Sequence, residues 1–126
     1  MARIVICDDE PHISRAVALK LKRAGHDVRA GHNGAEALAL IQAERPDLVI
    51  TDCQMPVMTG LQLCEAILGE PQLSDLPVVM LTAKGLEIPE AELRSRYDVC
   101  RLVHKPFSPR DLLALVEELT SDPVAA

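Results

Sequence analysis

Five polar side chains stand directly after short apolar runs, and together they suit phosphate chemistry. Ile4-Val5-Ile6-Cys7 stops at Asp8-Asp9, and Leu48-Val49-Ile50-Thr51 stops at Asp52. Val78-Val79-Met80-Leu81 stops at Thr82, and Leu102-Val103-His104 stops at Lys105. In an open parallel α/β sheet, ligands bind in the crevice beyond the carboxyl ends of the strands. If the runs are strands of one such sheet, three acids, a hydroxyl and an ammonium converge on one spot. Asp8, Asp9 and Asp52 would repel one another there unless a cation joined them. An all-oxygen set with positions left for water suits Mg²⁺ or Mn²⁺ better than zinc, which prefers Cys and His. Asp52 is the candidate nucleophile, because a carboxylate is ionised at neutral pH and needs no general base to attack phosphorus. Lys105 and the cation would neutralise phosphoryl oxygens, and Thr82 could donate to one. Taken singly, each has a plainer account: a helix cap or turn acid, a strand-end threonine, a solvated lysine. Their placement at four strand ends is what the plain accounts leave unexplained.

The elements that must position these residues are legible as alternating strand-like and helix-like segments, the pattern of an α/β domain with a parallel sheet. A first helix is predicted from Pro11 to Gly25, with Lys20, Lys22 and Arg23 in its last turns and Ile13, Ala16, Val17 and Leu21 on one face. A second runs from about Gly34 to Glu44 before Pro46, and a third from about Gly60 to Gly69 before Pro71. Pro89 opens a short fourth. The fifth begins at Ser108 as N-cap, with Pro109 at N1 and Asp111 at N3 in a capping-box variant, and carries Leu112, Leu115, Val116 and Leu119 as its stripe. Runs one, three and four are continuously apolar, as in strands covered on both faces, whereas Val28-Arg29-Ala30 and Cys100-Arg101-Leu102 alternate as edges do. That predicts the order 2-1-3-4-5 of the flavodoxin-like doubly wound sheet. A Lys105-Pro106 bond in the cis form would aim the ammonium back into the crevice.

Composition narrows the function classes. The chain has 126 residues, 48% of them hydrophobic, so one domain with a sizeable aliphatic core is expected. The span 1–120 forms that domain and 121–126 a short frayed tail. Only Tyr97 and Phe107 are aromatic, which argues against a stacking platform for single strands, and a net charge of −6 disfavours nucleic acid generally. No apolar stretch approaches the roughly 20 residues of a membrane helix, and no signal peptide is visible, so a cytoplasmic protein is expected. Cys7, Cys53, Cys64 and Cys100 contain no C-x-x-C pair and are expected as reduced, half-buried thiols; Cys53, beside Asp52, is a candidate redox handle. His12, His26, His32 and His104 show no metal spacing.

These residues make the chain resemble the receiver domains of two-component response regulators, the CheY-like family. The match rests on Asp8-Asp9, on Asp52-Cys53-Gln54-Met55-Pro56-Val57-Met58-Thr59-Gly60, on Thr82-Ala83 and on Lys105-Pro106-Phe107, and it extends from Arg3 to about Leu119. The resemblance implies a (βα)5 fold in which Asp52 accepts a phosphoryl group from a phosphohistidine on a sensor histidine kinase or phosphotransfer protein. It implies direct ligation of Mg²⁺ by Asp9, Asp52 and the backbone carbonyl of Gln54, with Asp8 acting through water. Ala83 is small, as the family pattern wants, while the Gln54 and Lys84 side chains occupy positions that tune self-dephosphorylation; Lys84 would screen the phosphate and slow hydrolysis. Two departures stand out. The family often carries an aromatic three residues before the lysine, where this chain has Leu102, and Tyr97-Asp98-Val99-Cys100 lacks the glycine and small residues common there.

The expected function is therefore a phosphorylatable switch without an output segment of its own, acting on a downstream protein as a monomer or weak dimer. Its chemistry would extend only to its own phosphotransfer and autodephosphorylation, so it is not expected to be a turnover enzyme. Three other readings compete. A flavin binder of this fold needs a hydroxyl- and glycine-rich first loop, where Asp8-Asp9-Glu10 would repel phosphate. A phosphatase with an Asp nucleophile needs an acid to activate water, and Gln54 stands two residues past Asp52. A phosphorylation-independent interaction scaffold is favoured by Leu102 and opposed by the intact Asp52, Thr82 and Lys105.

Overall fold

The apolar runs do form strands, and each ends where its sequence turns polar. A computed structural model describes residues 1–55, 57–83 and 88–120. The expectations attached to Pro56, Lys84 and the 121–126 tail fall outside the described residues. Five strands, β1 (Arg3–Cys7), β2 (Asp27–Gly31), β3 (Leu48–Asp52), β4 (Val78–Thr82) and β5 (Val99–His104), make one sheet in the order β2-β1-β3-β4-β5. All four pairings are parallel, as expected of the flavodoxin-like (βα)5 arrangement. Helices α1 (Pro11–Arg23), α2 (Gly34–Ala43), α3 (Gly60–Leu68), α4 (Glu90–Tyr97) and α5 (Pro109–Thr120) connect or follow them.

Strand residues alternate between two cores because successive side chains point to opposite faces. Val5, Cys7, Val49 and Met80 pack with α2, α3 and α4 through Ile41, Leu63, Ile67 and Leu93. Ile4, Ile6, Ile50 and Leu81 pack with α1 and α5 through Val17, Leu21, Leu112 and Val116. Central β3 and β4 are buried along their whole length, while β2 and β5 are partly exposed as edges; the expected alternation fails at Ala30, which is exposed together with the adjacent Arg29. Each fully buried aliphatic side chain contributes about 1.5–3 kcal/mol, so the two layers hold the strand ends in place.

Several local expectations need correction. In α1 the buried residues are Ser14, Val17 and Leu21, whereas Ala16 is exposed. Ser14 can be buried because its hydroxyl donates to the Pro11 carbonyl at 3.2 Å. The helix ends two residues before Gly25, whose φ of +95° carries the left-handed exit. At α5 the Ser108 hydroxyl accepts the N–H of Arg110, not that of Asp111. The reciprocal capping box lies instead at α3, between Thr59 and Gln62. Where a glycine was missing before β5, Asp98 adopts the left-handed conformation (φ 55°) that ends α4, a role open to Asp because its short polar chain tolerates it. Cys7, Cys53 and Cys64 are fully rather than half buried.

Candidate functional site

The register delivers the polar residues to one rim. Cys7 pairs with Thr51, so Asp8 and Asp52 follow side by side, and Asp52 pairs with Leu81 just before Thr82. Thr82 pairs with His104, just before Lys105. The ladder extends past the strand ends: the N–H of Asp8 reaches the Gly31 carbonyl at 3.3 Å, that of Cys53 the Leu81 carbonyl at 2.9 Å, and that of Lys105 the Thr82 carbonyl at 2.7 Å. Backbone, not side-chain chance, sets where the functional groups begin. The loop after Asp52 is tied down by the Gly60 N–H, which donates to the Cys53 carbonyl at 2.9 Å. A Cβ at Gly60 would collide with the Asp52 carbonyl oxygen, so the approach of α3 to β3 requires glycine there. Beneath the loop, the buried Cys7 thiol meets the Met55 sulfur at 3.1 Å.

Around Lys105 the side chains converge. Its Nζ lies 3.0 Å from Asp52 Oδ2, 3.1 Å from Asp8 Oδ2 and 3.2 Å from Glu10 Oε1. The Lys105-Pro106 peptide is cis, and the lysine side chain is only 12% exposed. Asp8 is fully buried; its Oδ1 accepts the Glu10 N–H at 2.9 Å, while Oδ2 has no aligned hydrogen bond and only the nearby ammonium for compensation. Asp9 is exposed at the mouth. Asp8, Asp9, Glu10 and Asp52 each offer a carboxylate oxygen, all within 4.8 Å of one another. A buried carboxylate oxygen lacking a hydrogen bond, in a set made wholly of oxygen donors, fits a hard divalent cation. Burial raises the Asp52 carboxyl above its ordinary 3.8; the Lys105 hydrogen bond and charge oppose that rise, Asp8 adds to it, and the Gln54 backbone N–H opposes it. Burial would lower the Lys105 ammonium, but the carboxylates of Asp52, Asp8 and Glu10 outweigh it and hold the ammonium above its ordinary 10.5.

Of the residues singled out from sequence, Asp8, Asp9, Asp52 and Lys105 are gathered at one point. Thr82 is buried beside them, with its hydroxyl donating to the Ala83 carbonyl at 3.1 Å rather than to an acid. Gln54 is exposed on the rim, as is Ala83. Leu102, partly buried, packs against the α2, α3 and α4 side of the sheet. Pro106 is exposed. Glu10, named from sequence only as an acid that would repel a flavin phosphate, is the addition to the cluster; its position immediately before Pro11, at the start of α1, was the available signal. Cys53 offers no redox handle: it is buried, and burial with the Asp52 charge raises its thiol further above 9.0, removing the thiolate such chemistry needs. Among the described residues no helix is long and apolar enough to cross a membrane.

The chain matches the model of the response regulator receiver domain over residues 4–117. It is similar to the chemotaxis protein CheY4 of Vibrio cholerae, at 31% identity and a TM-score of 0.85, covering 94% of this chain and 98% of that one. A putative response regulator from Chloroflexus aurantiacus is 30% identical with a TM-score of 0.83, covering 96% and 98%. The signal receiver domain of a signal transduction histidine kinase from Syntrophus aciditrophicus is 32% identical with a TM-score of 0.82, covering 96% and 91%.

Proposed function

This chain belongs to the response regulator receiver domain family, and on that premise we propose that it is a phosphorylatable switch whose phosphoacceptor is Asp52. The observation that carries the proposal is the Asp52 carboxylate held 3.0 Å from the Lys105 ammonium within a cluster of four acids. A carboxylate oxygen of Asp52 attacks phosphorus of a phosphohistidine on a sensor histidine kinase or phosphotransfer protein. An O–P bond forms as the N–P bond breaks, and the electron pair of that bond returns to the imidazole nitrogen. Lys105 then faces the phosphoryl oxygens, and Thr82 turns its hydroxyl from the Ala83 carbonyl to one of them. Ala83 leaves room for the donor, and Gln54, with Lys84, sets the rate at which water removes the group. Asp9, Asp52 and the Gln54 carbonyl would hold Mg²⁺ or Mn²⁺, with Asp8 acting through water. The cation supplies charge neutralisation for the phosphoryl oxygens.

Phosphorylation shifts a two-state equilibrium, and the favoured state binds a downstream protein; Leu102, repacking beside Met80 in place of an aromatic ring, carries part of that shift. The chemistry ends with the protein's own phosphorylation and dephosphorylation, and it proceeds in the cytoplasm on a monomer or weak dimer. Intact mass after incubation with acetyl phosphate and Mg²⁺ tests the proposal. Wild type is expected to gain one phosphoryl group, and Asp52→Asn or omission of Mg²⁺ to abolish the gain. A wild type that stays unmodified while it binds Mg²⁺ would leave the phosphorylation-independent scaffold as the better reading.

A further inference from the structure

Lys105 must meet the phosphoryl group, yet its ammonium is already engaged. It hydrogen-bonds Asp52 at 3.0 Å and Glu10 at 3.2 Å, with Asp8 3.1 Å away. Two of the three N–H donors of the ammonium are thus bonded and the buried Asp8 carboxylate crowds the third as an ion-pair partner, so a phosphoryl oxygen reaches the ammonium by displacing one of these three acids. Asp8 cannot leave: it is fully buried and its other oxygen accepts the Glu10 N–H. Asp52 is the phosphoacceptor. Glu10 alone has an exit, since its side chain is 46% exposed and its second oxygen lies 3.7 Å from the His12 ring.

We infer that Glu10 is a positioning residue that competes with the phosphoryl group for Lys105, holding the ammonium in the unphosphorylated protein and yielding it when Asp52 is modified. The inference rests on the phosphoacceptor reading above and names a determinant of its rate. Glu10 is suited to the part because it starts α1, its carbonyl accepting the N–H groups of Ile13 and Ser14 at 3.0 and 3.2 Å. Its backbone is thus fixed while its carboxylate can swing. The side chain also lines, with Lys105, Ile13 and Phe107, a groove of about 520 Å³ between α1 and the start of α5. Release of Glu10 therefore changes the charge at the wall of that groove.

The test compares wild type, Glu10→Gln and Glu10→Asp for the rate of phosphoryl gain from acetyl phosphate and for Mn²⁺ affinity by calorimetry. Competition predicts that, at Mn²⁺ concentrations saturating for each protein, both variants are phosphorylated about two- to five-fold faster, the span expected for loss of a partly exposed ion pair. Aspartate keeps the charge but is too short to hold Lys105. Acceleration in Glu10→Gln alone would mean simple charge repulsion and would overturn the competition. So would unchanged rates, or slower ones accompanied by weakened Mn²⁺ binding, which would make Glu10 a cation ligand. A thermal double-mutant cycle between Glu10→Gln and Lys105→Ala needs no phosphorylation, and zero coupling in it also rejects the inference. If wild type itself takes no phosphoryl group, the parent reading fails; coupling in the cycle would then mark a static ion pair, not a competitor.

Discussion

The two rims of the sheet carry ion pairs of the same length and opposite consequence. At the amino edge, Arg3 Nε lies 3.0 Å from Glu44 Oε1, and the Arg3 N–H donates to Asp47 Oδ2 at 2.8 Å. At the carboxyl edge, Lys105 Nζ lies 3.0 Å from Asp52 Oδ2. Arg3 and Glu44 are 53% and 44% exposed, Lys105 and Asp52 only 12% and 9%. Charges about 4 Å apart attract by about 1 kcal/mol in water and about 4 kcal/mol at an effective dielectric constant of about 20. The inner pair also bears the desolvation that water spares the outer one. Distance alone therefore says little; what separates a surface ornament from a reactive site is how far the surrounding fold has removed water. The carboxyl rim concentrates Asp8, Glu10 and Asp52 around one ammonium, with Asp9 at the mouth, and that ammonium offsets their mutual repulsion.

The largest effect should come from taking that cation away. Lys105→Ala leaves buried Asp8 facing Asp52 with no ammonium between them, and is expected to cost about 2–3 kcal/mol in denaturant unfolding. Millimolar Mg²⁺ should restore much of the loss, since a divalent ion replaces the missing charge. A variant as stable as wild type without metal would mean that the two carboxylates tolerate each other, and the contrast between the rims would lose its basis.

Next comes the acid itself. Because the Asp52 carboxyl is raised in the folded protein above its ordinary 3.8, its ionised form is disfavoured by folding. At pH above the raised value this group lowers stability; as pH falls from there to 3.8 the folded state binds the proton more readily than the unfolded chain, and the penalty disappears. Asp52→Asn mimics the protonated form. Without metal it should melt above wild type at neutral pH, with the difference shrinking as pH is lowered toward 3.8. A gap that stays constant across that window would place the effect elsewhere than the carboxylate.

Much of this rim was legible in the chain. Strand ends are readable because an apolar run stops where a polar or charged residue begins, and Asp8, Asp52, Thr82 and Lys105 each mark such a stop. The edge positions of β2 and β5 were readable from Arg29 and Arg101, each of which stands between two apolar residues. What escaped lies where phase or local geometry outranks residue type. The inward face of α1 passes through Ser14 rather than Ala16, because Val17 and Leu21 set the helical phase and a hydroxyl bonded to Pro11 is cheap to bury. Val57 adopts a φ of 69° while 81% exposed, a left-handed position that a β-branched residue does not advertise. Thr82 shows the limit at the site: its type and strand end were readable, but the direction of its hydroxyl, toward Ala83, was not.

The smallest effect should appear at the amino edge, and it sharpens the contrast most. Arg3 and Glu44 share the outer rim with Arg29, whose guanidinium is 3.7 Å from the same carboxylate. Two cations on one exposed acid make each pair partly redundant, since removal of either arginine leaves Glu44 a partner. A double-mutant cycle between Arg3→Ala and Glu44→Ala should give a coupling of about 0.5 kcal/mol or less in urea unfolding. That coupling should fade further in about 1 M salt, where the screening length falls to about 3 Å. Coupling between Lys105 and Asp52, measured the same way, should keep most of its size in that salt because solvent ions cannot enter between them. Equal salt sensitivity at the two rims would mean that the carboxyl crevice is as wet as the outer surface, and burial would no longer explain why chemistry belongs to one edge of the sheet.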